Sequence, residues 1–153
     1  MANENLFPTD LDSDIGSTET YEAYQGYKKS PYFDSATGDF IVDGSGTILD
    51  ADEIEAYVQW CESVIATDRY KHDAYSSDIG IDYNLIFSAS THEEAETLLE
   101  SEISEALAVD PYKRTIYVQN VQCEWTGPDS VDVTIEVLAL DNELVTINTV
   151  IKR

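Results

Sequence analysis

Apolar residues in the middle of the chain recur at intervals of three and four. Ala51, Ile54, Val58, Cys61, Val64 and Ile65 form one such series, the signature of a helix with a single buried stripe. Asp52, with Glu55 three residues on, supplies a capping-box start for it. A second series, Ala95, Leu98, Leu99, Glu102, Ile103, Ala106 and Leu107, follows the capping pair Thr91 and Glu94 and runs to Ala108. Its opposite face holds Glu93, Glu96, Glu100 and Glu105, which reads as a solvated acidic surface. Between the two helices, Gly80 to Phe87 is short and mixed and predicts a brief helix or strand.

In the C-terminal third the period falls to two. Thr115 to Trp125, Val131 to Ala139 and Leu144 to Lys152 are rich in β-branched residues, and Thr126-Gly127-Pro128-Asp129 and Asp141-Asn142 separate them as turns. Val131, Val133, Ile135 and Val137 alternate with Asp132, Thr134 and Glu136, so one face of the middle strand is buried and the other wet. Further upstream, Phe40 to Val42 and Thr47 to Leu49 flank Asp43-Gly44-Ser45-Gly46, a hairpin signal. Residues 1 to 30 are polar and acidic with Tyr21, Tyr24 and Tyr27 scattered through them, and show no sustained period. The expected fold is α+β: an acidic arm over 1–30, then one domain over 31–153 with a β-hairpin, two main helices and a three-stranded antiparallel meander.

The segment from Gln59 to Gly80 is unusual for a helix exit. It reads QWCESVIATDRYKHDAYSSDIG, so a charged and aromatic surface follows directly on a buried helix. The order Gln-Trp, Thr-Asp-Arg-Tyr, Ala-Tyr and Ile-Gly-Ile resembles the small baseplate proteins of Gram-positive phages and defective prophages. Those are similar in turn to the T-even baseplate wedge protein that starts the tail sheath. Tyr32 to Val42 (YFDSATGDFIV) looks like the family's entry strand, and Ile103 to Arg114 (ISEALAVDPYKR) like its helix followed by an acidic-Pro-Arg element. The resemblance covers roughly residues 30 to 153. One departure stands out: the acidic residue, proline and arginine are contiguous in the phage wedge proteins, whereas Tyr112 and Lys113 separate Pro111 from Arg114 here.

The resemblance implies a structural part of a phage-like tail baseplate in the virion, present as a ring of about six copies around the tube. It implies wedge or hub proteins, the tail tube and, where the tail contracts, the sheath as partners. The residues singled out for partner contact are Arg69, Tyr70 and Gly80 at the helix exit, Asp110, Pro111 and Arg114 in the acidic-Pro-Arg element, and Val145, Ile147, Thr149, Ile151 and Arg153 on the last strand. Guanidinium groups suit such a role because they grip carboxylates or carbonyls bidentately in a packed interface. A final strand ending in Lys152-Arg153, on an otherwise acidic chain, presents an edge of opposite charge that can accept another strand, or it is an ordinary last strand with a basic tip. The resemblance favours the first of these.

Composition narrows the partners. With 31 Asp and Glu against 8 Lys and Arg the formal charge is −23, which repels nucleic acid and anionic membrane surfaces and favours a basic protein partner. The same acidity would serve solubility alone. At 153 residues the chain is one domain's worth, and its bulky apolar content suffices for a packed core. No stretch has the apolar length of a membrane span, and the first residues, MANENLFPTDLD, lack the basic and apolar regions of a signal peptide, so Sec export is not expected.

Candidate chemistry is sparse. Cys61 on the helix stripe and Cys123 in a strand both read as buried free thiols, and His72 and His92 have no ligand-spaced partners, so no metal or cofactor is expected. Asp39, Asp43, Gly44 and Asp50 match positions 1, 5, 6 and 12 of a calcium loop, but Ile41 occupies position 3, position 12 lacks Glu and no helix precedes the loop. The carboxylates of Glu124, Glu136 and the acidic helix face suggest no pair at a catalytic separation, so hydrolysis is rejected. Two other readings stay open: an acidic protein-binding module outside a virion, and a baseplate part of a non-contractile tail.

Overall fold

Three antiparallel strands carry most of the core, and two helices lie across one face of them. A computed structural model describes residues 26–35 and 37–153, so the expected arm lies almost wholly outside the described residues. The order is β1 (Ser30–Pro31), β2 (Phe33–Asp34), β3 (Asp39–Phe40), β4 (Asp50–Ala51), α1 (Glu53–Ile65), α2 (Tyr83–Phe87), α3 (His92–Ala108), β5 (Thr115–Gly127), β6 (Ser130–Ala139) and β7 (Leu144–Lys152). This is the α+β arrangement read from the sequence.

The sheet order is β5-β6-β7. Along β6 the period-two pattern holds throughout: Val131, Val133, Ile135, Val137 and Ala139 are buried, and the residues between them are half-exposed. α3 packs beneath β5 and α1 beneath β7, so the helices cover one face and leave the other wet. β6 and β7 pair in unbroken register from Ser130↔Lys152 to Leu138↔Leu144. β5 pairs with β6 less regularly, with register shifts at Thr115/Tyr117, Val118/Asn120 and Trp125/Gly127.

Both helix starts form from local chemistry. Asp52 accepts from the amides of Ile54 and Glu55 at 3.0 and 2.8 Å, and Glu55 returns a bond to the Asp52 amide at 3.1 Å. Thr91 accepts from the Glu94 amide at 3.2 Å, but the Glu94 carboxylate reaches one residue further back, to the Ser90 amide at 2.9 Å. The buried stripe of α3 is Ala95, Leu99, Glu102, Ile103, Ala106 and Leu107, as the spacing predicts, with Leu98 only partly buried.

α1 is rotated from its expected face. Its buried residues are Ala56, Tyr57, Cys61, Val64 and Ile65, while Ile54 and Val58 are partly covered. The cause is Tyr57, fully buried with its hydroxyl 2.8 Å from Thr115 Oγ1, which turns the helix toward the start of β5. Cys61 is buried beside it and burial pushes its thiol up to about 12. Cys123 departs from expectation: it is half-buried because β5 is an edge strand, and its thiol is raised to about 11.

The expected hairpin forms: Asp43 donates to the Thr47 carbonyl and Leu49 to the Ile41 carbonyl, both at 2.9 Å, on either side of the Val42↔Ile48 bridge. Asp43 Oδ1 accepts from the Ser45 hydroxyl, the Ser45 amide and the Thr47 amide at 2.7 to 2.9 Å, and these bonds hold its carboxyl below the usual range. Asp39 and Phe40 also pair backward with Asp34 and Phe33. Tyr32 to Leu49 and Ile41 to both complete a small β layer outside the main sheet.

Candidate functional site

The acidic-Pro-Arg element is a closed clasp. α3 ends at Ala108 with Val109 as its C-cap, and Asp110 follows directly, before Pro111, which cannot continue the helix. Lys113 adopts a left-handed φ of 50°, which curls the chain so that Arg114 comes back over Asp110. Arg114 Nε donates to Asp110 Oδ2 and Nη2 to Oδ1, both at 2.9 Å, and the Arg114 amide adds a third bond at 2.6 Å. The intervening Tyr112 and Lys113 are what make this four-residue turn possible. Arg114 is 3% exposed and Asp110 4%.

Aromatic rings complete the enclosure. The guanidinium carbon lies 5.0 Å from the Tyr57 ring centre, 5.1 Å from Tyr112 and 5.3 Å from Trp60. Gly26 donates to the Tyr112 carbonyl at 3.3 Å and Tyr27 packs edge-on against Tyr57, so the start of the described chain straps over the cluster. Burial, with Glu143 next, raises the Tyr27 hydroxyl. Pro111 stays exposed at the rim. The expectation that Arg114 offers its guanidinium outward meets a group satisfied inside its own chain.

Arg69 likewise faces inward. Its backbone joins the short parallel bridge between Asp68 and Ile81, its Nε donates to the Gly80 carbonyl at 2.9 Å, and its Nη1 lies 3.3 Å from Glu102 and 3.7 Å from Glu105. Glu102 also accepts from the Asp82 amide at 3.0 Å, so one carboxylate ties α3 to the start of α2. Gly80 sits at φ +92°, and a Cβ there would stand 2.5 Å from the Thr67 carbonyl oxygen. The whole loop is therefore pinned at its base. Tyr70, held at φ 68°, projects from it 69% exposed.

The last strand is open on its outer side among the described residues. Ala139 donates to the Glu143 carbonyl at 2.8 Å before β7 begins, and Arg153 donates to the Asp129 carbonyl at 3.1 Å after it ends. Bonded pairs recur at every second residue of an antiparallel ladder, so Val145, Ile147, Thr149 and Ile151 direct their backbone groups at β6. The side chains of Val145, Ile147 and Ile151 point into the core. The open positions are instead Leu144, Thr146, Asn148, Val150 and Lys152, whose amides and carbonyls turn away from β6 and meet no backbone partner among the described residues. On β7 the apolar residues form the core set and also bond to β6, and the complementary set forms the edge.

Several residues of these clusters were not singled out by sequence. Tyr57 gave no signal, and Trp60 and Tyr112 entered only as members of motifs and not as site residues, because an aromatic cage gathers residues from distant positions. Glu102 and Glu105 differ. Glu102 fell on the apolar stripe of α3, and a carboxylate there called for a buried cation; Glu105 on the outer face and Glu96, which accepts from Trp125 Nε1 at 3.0 Å, show that this face is not wholly solvated. Among the described residues no group of His, Cys, Asp and Glu is arranged to hold a metal ion, and no helix is long and apolar enough to cross a membrane.

No curated protein matches the chain. The sequence profile of contractile injection system sheath initiators matches residues 29–142, from β1 through the turn that precedes β7, and so takes in both arginine clusters. These proteins are structural components of the baseplate and sheath. The chain belongs to the family of contractile injection system sheath initiators.

Proposed function

We propose that this chain is a non-catalytic seed in the baseplate of a virion-like contractile particle, joined to wedge or hub proteins and the tube on one side and to the first sheath layer on the other. The observation that carries the joining step is the edge of β7, whose outward backbone groups meet no backbone partner among the described residues. Its pairing with β6 is unbroken, so it presents a straight row of donors and acceptors of the kind that strand addition uses. β5, the other edge, is interrupted by three register shifts, which blunt an edge against pairing. Exposed Tyr70 and Pro111 offer the side-chain contacts to baseplate neighbours, while Arg69 and Arg114 hold those contacts in place from beneath. A ring of about six copies would present as many such edges around the tube.

Asn148→Pro tests this directly. Proline removes an amide that faces outward and leaves the backbone ladder to β6 intact, losing besides only the exposed bond from Thr134 Oγ1 to Asn148 Oδ1, a substitution that edge strands tolerate. The variant should fold and enter baseplates, and electron micrographs should then show tubes without sheath. Normally sheathed particles carrying Asn148→Pro would overturn the joining role of β7.

A further inference from the structure

β7 ends the sheet, but the layer beneath the sheet continues past it. α1 underlies β7, and the β2–β3 layer stands beyond the helix, tied to it by a bond from the Phe33 amide to Gln59 Oε1 at 2.7 Å. Between them lies a cavity of about 470 Å³, with Asn148, Thr149 and Val150 on one wall and Phe33, Glu62 and Ala66 among the residues of the other. Thr149 is the one core-facing residue of β7 that is only half-buried; Val145, Ile147 and Ile151 are covered. The core side of the sheet opens at Thr149, into this groove.

A strand added antiparallel to β7 would meet that opening in a defined way. Thr149 bonds to β6, so the residue opposite it on the new strand occupies a non-hydrogen-bonded pair, with Cβ atoms roughly 4.5–5.5 Å apart. Directly opposed side chains share a face, so that residue points into the groove. What it meets there is Glu62. No hydrogen bond or ion pair reaches the Glu62 carboxylate among the described residues, α1 carries no Lys or Arg, and burial alone raises the carboxyl's pKa. A half-buried carboxylate flanked by an aromatic ring and a methyl group fits a side chain with an apolar stem and a cationic end.

We propose that the groove selects the strand that joins β7, by receiving a lysine or arginine of that strand opposite Thr149, its stem against Phe33 and Ala66 and its charge on Glu62. This rests on the strand-addition reading above. Residues 1–25 of the chain contain no Lys or Arg, so they cannot supply the cation from a side chain. The formal charge of −23 favours a basic segment from a different subunit over a second copy.

The test is binding of the full chain to the purified sheath subunit of the same particle, by fluorescence titration, with each variant's fold checked by thermal melting. Asn148→Pro should abolish binding, Glu62→Gln should weaken it about tenfold, and Glu62→Lys should weaken it further. One Lys→Glu or Arg→Glu change in the sheath subunit should restore binding to Glu62→Lys. Loss with Asn148→Pro but wild-type affinity with Glu62→Lys and Glu62→Gln would overturn the groove's role while leaving strand addition standing. Wild-type affinity with Asn148→Pro, or no binding by the wild-type chain, would overturn strand addition and the groove together. Self-association through β7 that the sheath subunit fails to compete away would show a second copy as the occupant and overturn the proposal.

Discussion

The Asp110–Arg114 clasp and the β7 edge are both dense in hydrogen-bonding groups, and they differ in where those groups point. At the clasp, one carboxylate takes four bonds from its own turn and three rings cover the guanidinium, so the cluster is complete within the chain. Along β7, alternate amides and carbonyls face outward with no backbone partner among the described residues. The difference teaches that charge and motif do not by themselves mark an interface. A buried ion pair sets shape, whereas an open ladder can extend a sheet into another subunit.

The sharpest way to break that contrast is to open the clasp. Arg114→Ala leaves the Asp110 carboxylate buried without its cation and should destabilise the fold by about 3–5 kcal/mol, seen as a large fall in the denaturant midpoint. A well-folded Arg114→Ala variant with an intact melting curve would show that the cluster is a surface contact after all. Ile147→Pro and Asn148→Pro give the next comparison. The first removes a ladder bond to β6 and should lose roughly 3 kcal/mol, while the second should lose less than about 1 kcal/mol although the residues are adjacent. Equal losses would contradict the assignment of inward and outward backbone groups.

Gly80→Ala tests the second closed cluster. Its new Cβ would collide with the Thr67 carbonyl at a positive φ, which should cost about 2 kcal/mol in equilibrium unfolding. A last comparison concerns alkali. The folded Cys61 thiol, at about 12, lies above the unfolded value of about 8.5. Its contribution to stability is complete below that lower value and is lost as pH rises through about 12. Between those limits a thiol reagent should modify half-buried Cys123 well before Cys61, and the onset of Cys61 labelling should coincide with loss of near-ultraviolet dichroism.

Much of the scaffold was legible in the chain. Asp52 with Glu55, the stripe from Ala95 to Leu107 and the alternation from Val131 to Val137 are local patterns, and local patterns survive into the fold because backbone geometry enforces their periods. The candidate site was less so. Arg69, Tyr70, Gly80, Asp110 and Arg114 do sit at the junctions of the fold, yet only distant residues decide their direction: Glu102 turns Arg69 inward, and Tyr57 and Trp60 close over Arg114. On β7 the apolar residues drew attention, although the edge belongs to their neighbours.

Sequence alone settled the elements, the acidic charge and the family's spaced motifs, since each depends on residues close together along the chain. Tertiary packing decided which groups face a neighbour. Burial of the ion pair and the rotation of α1 about Tyr57 follow from contacts between segments far apart in sequence, and the parity of hydrogen bonds along β7 follows from its pairing with β6, where one-dimensional pattern carries no orientation.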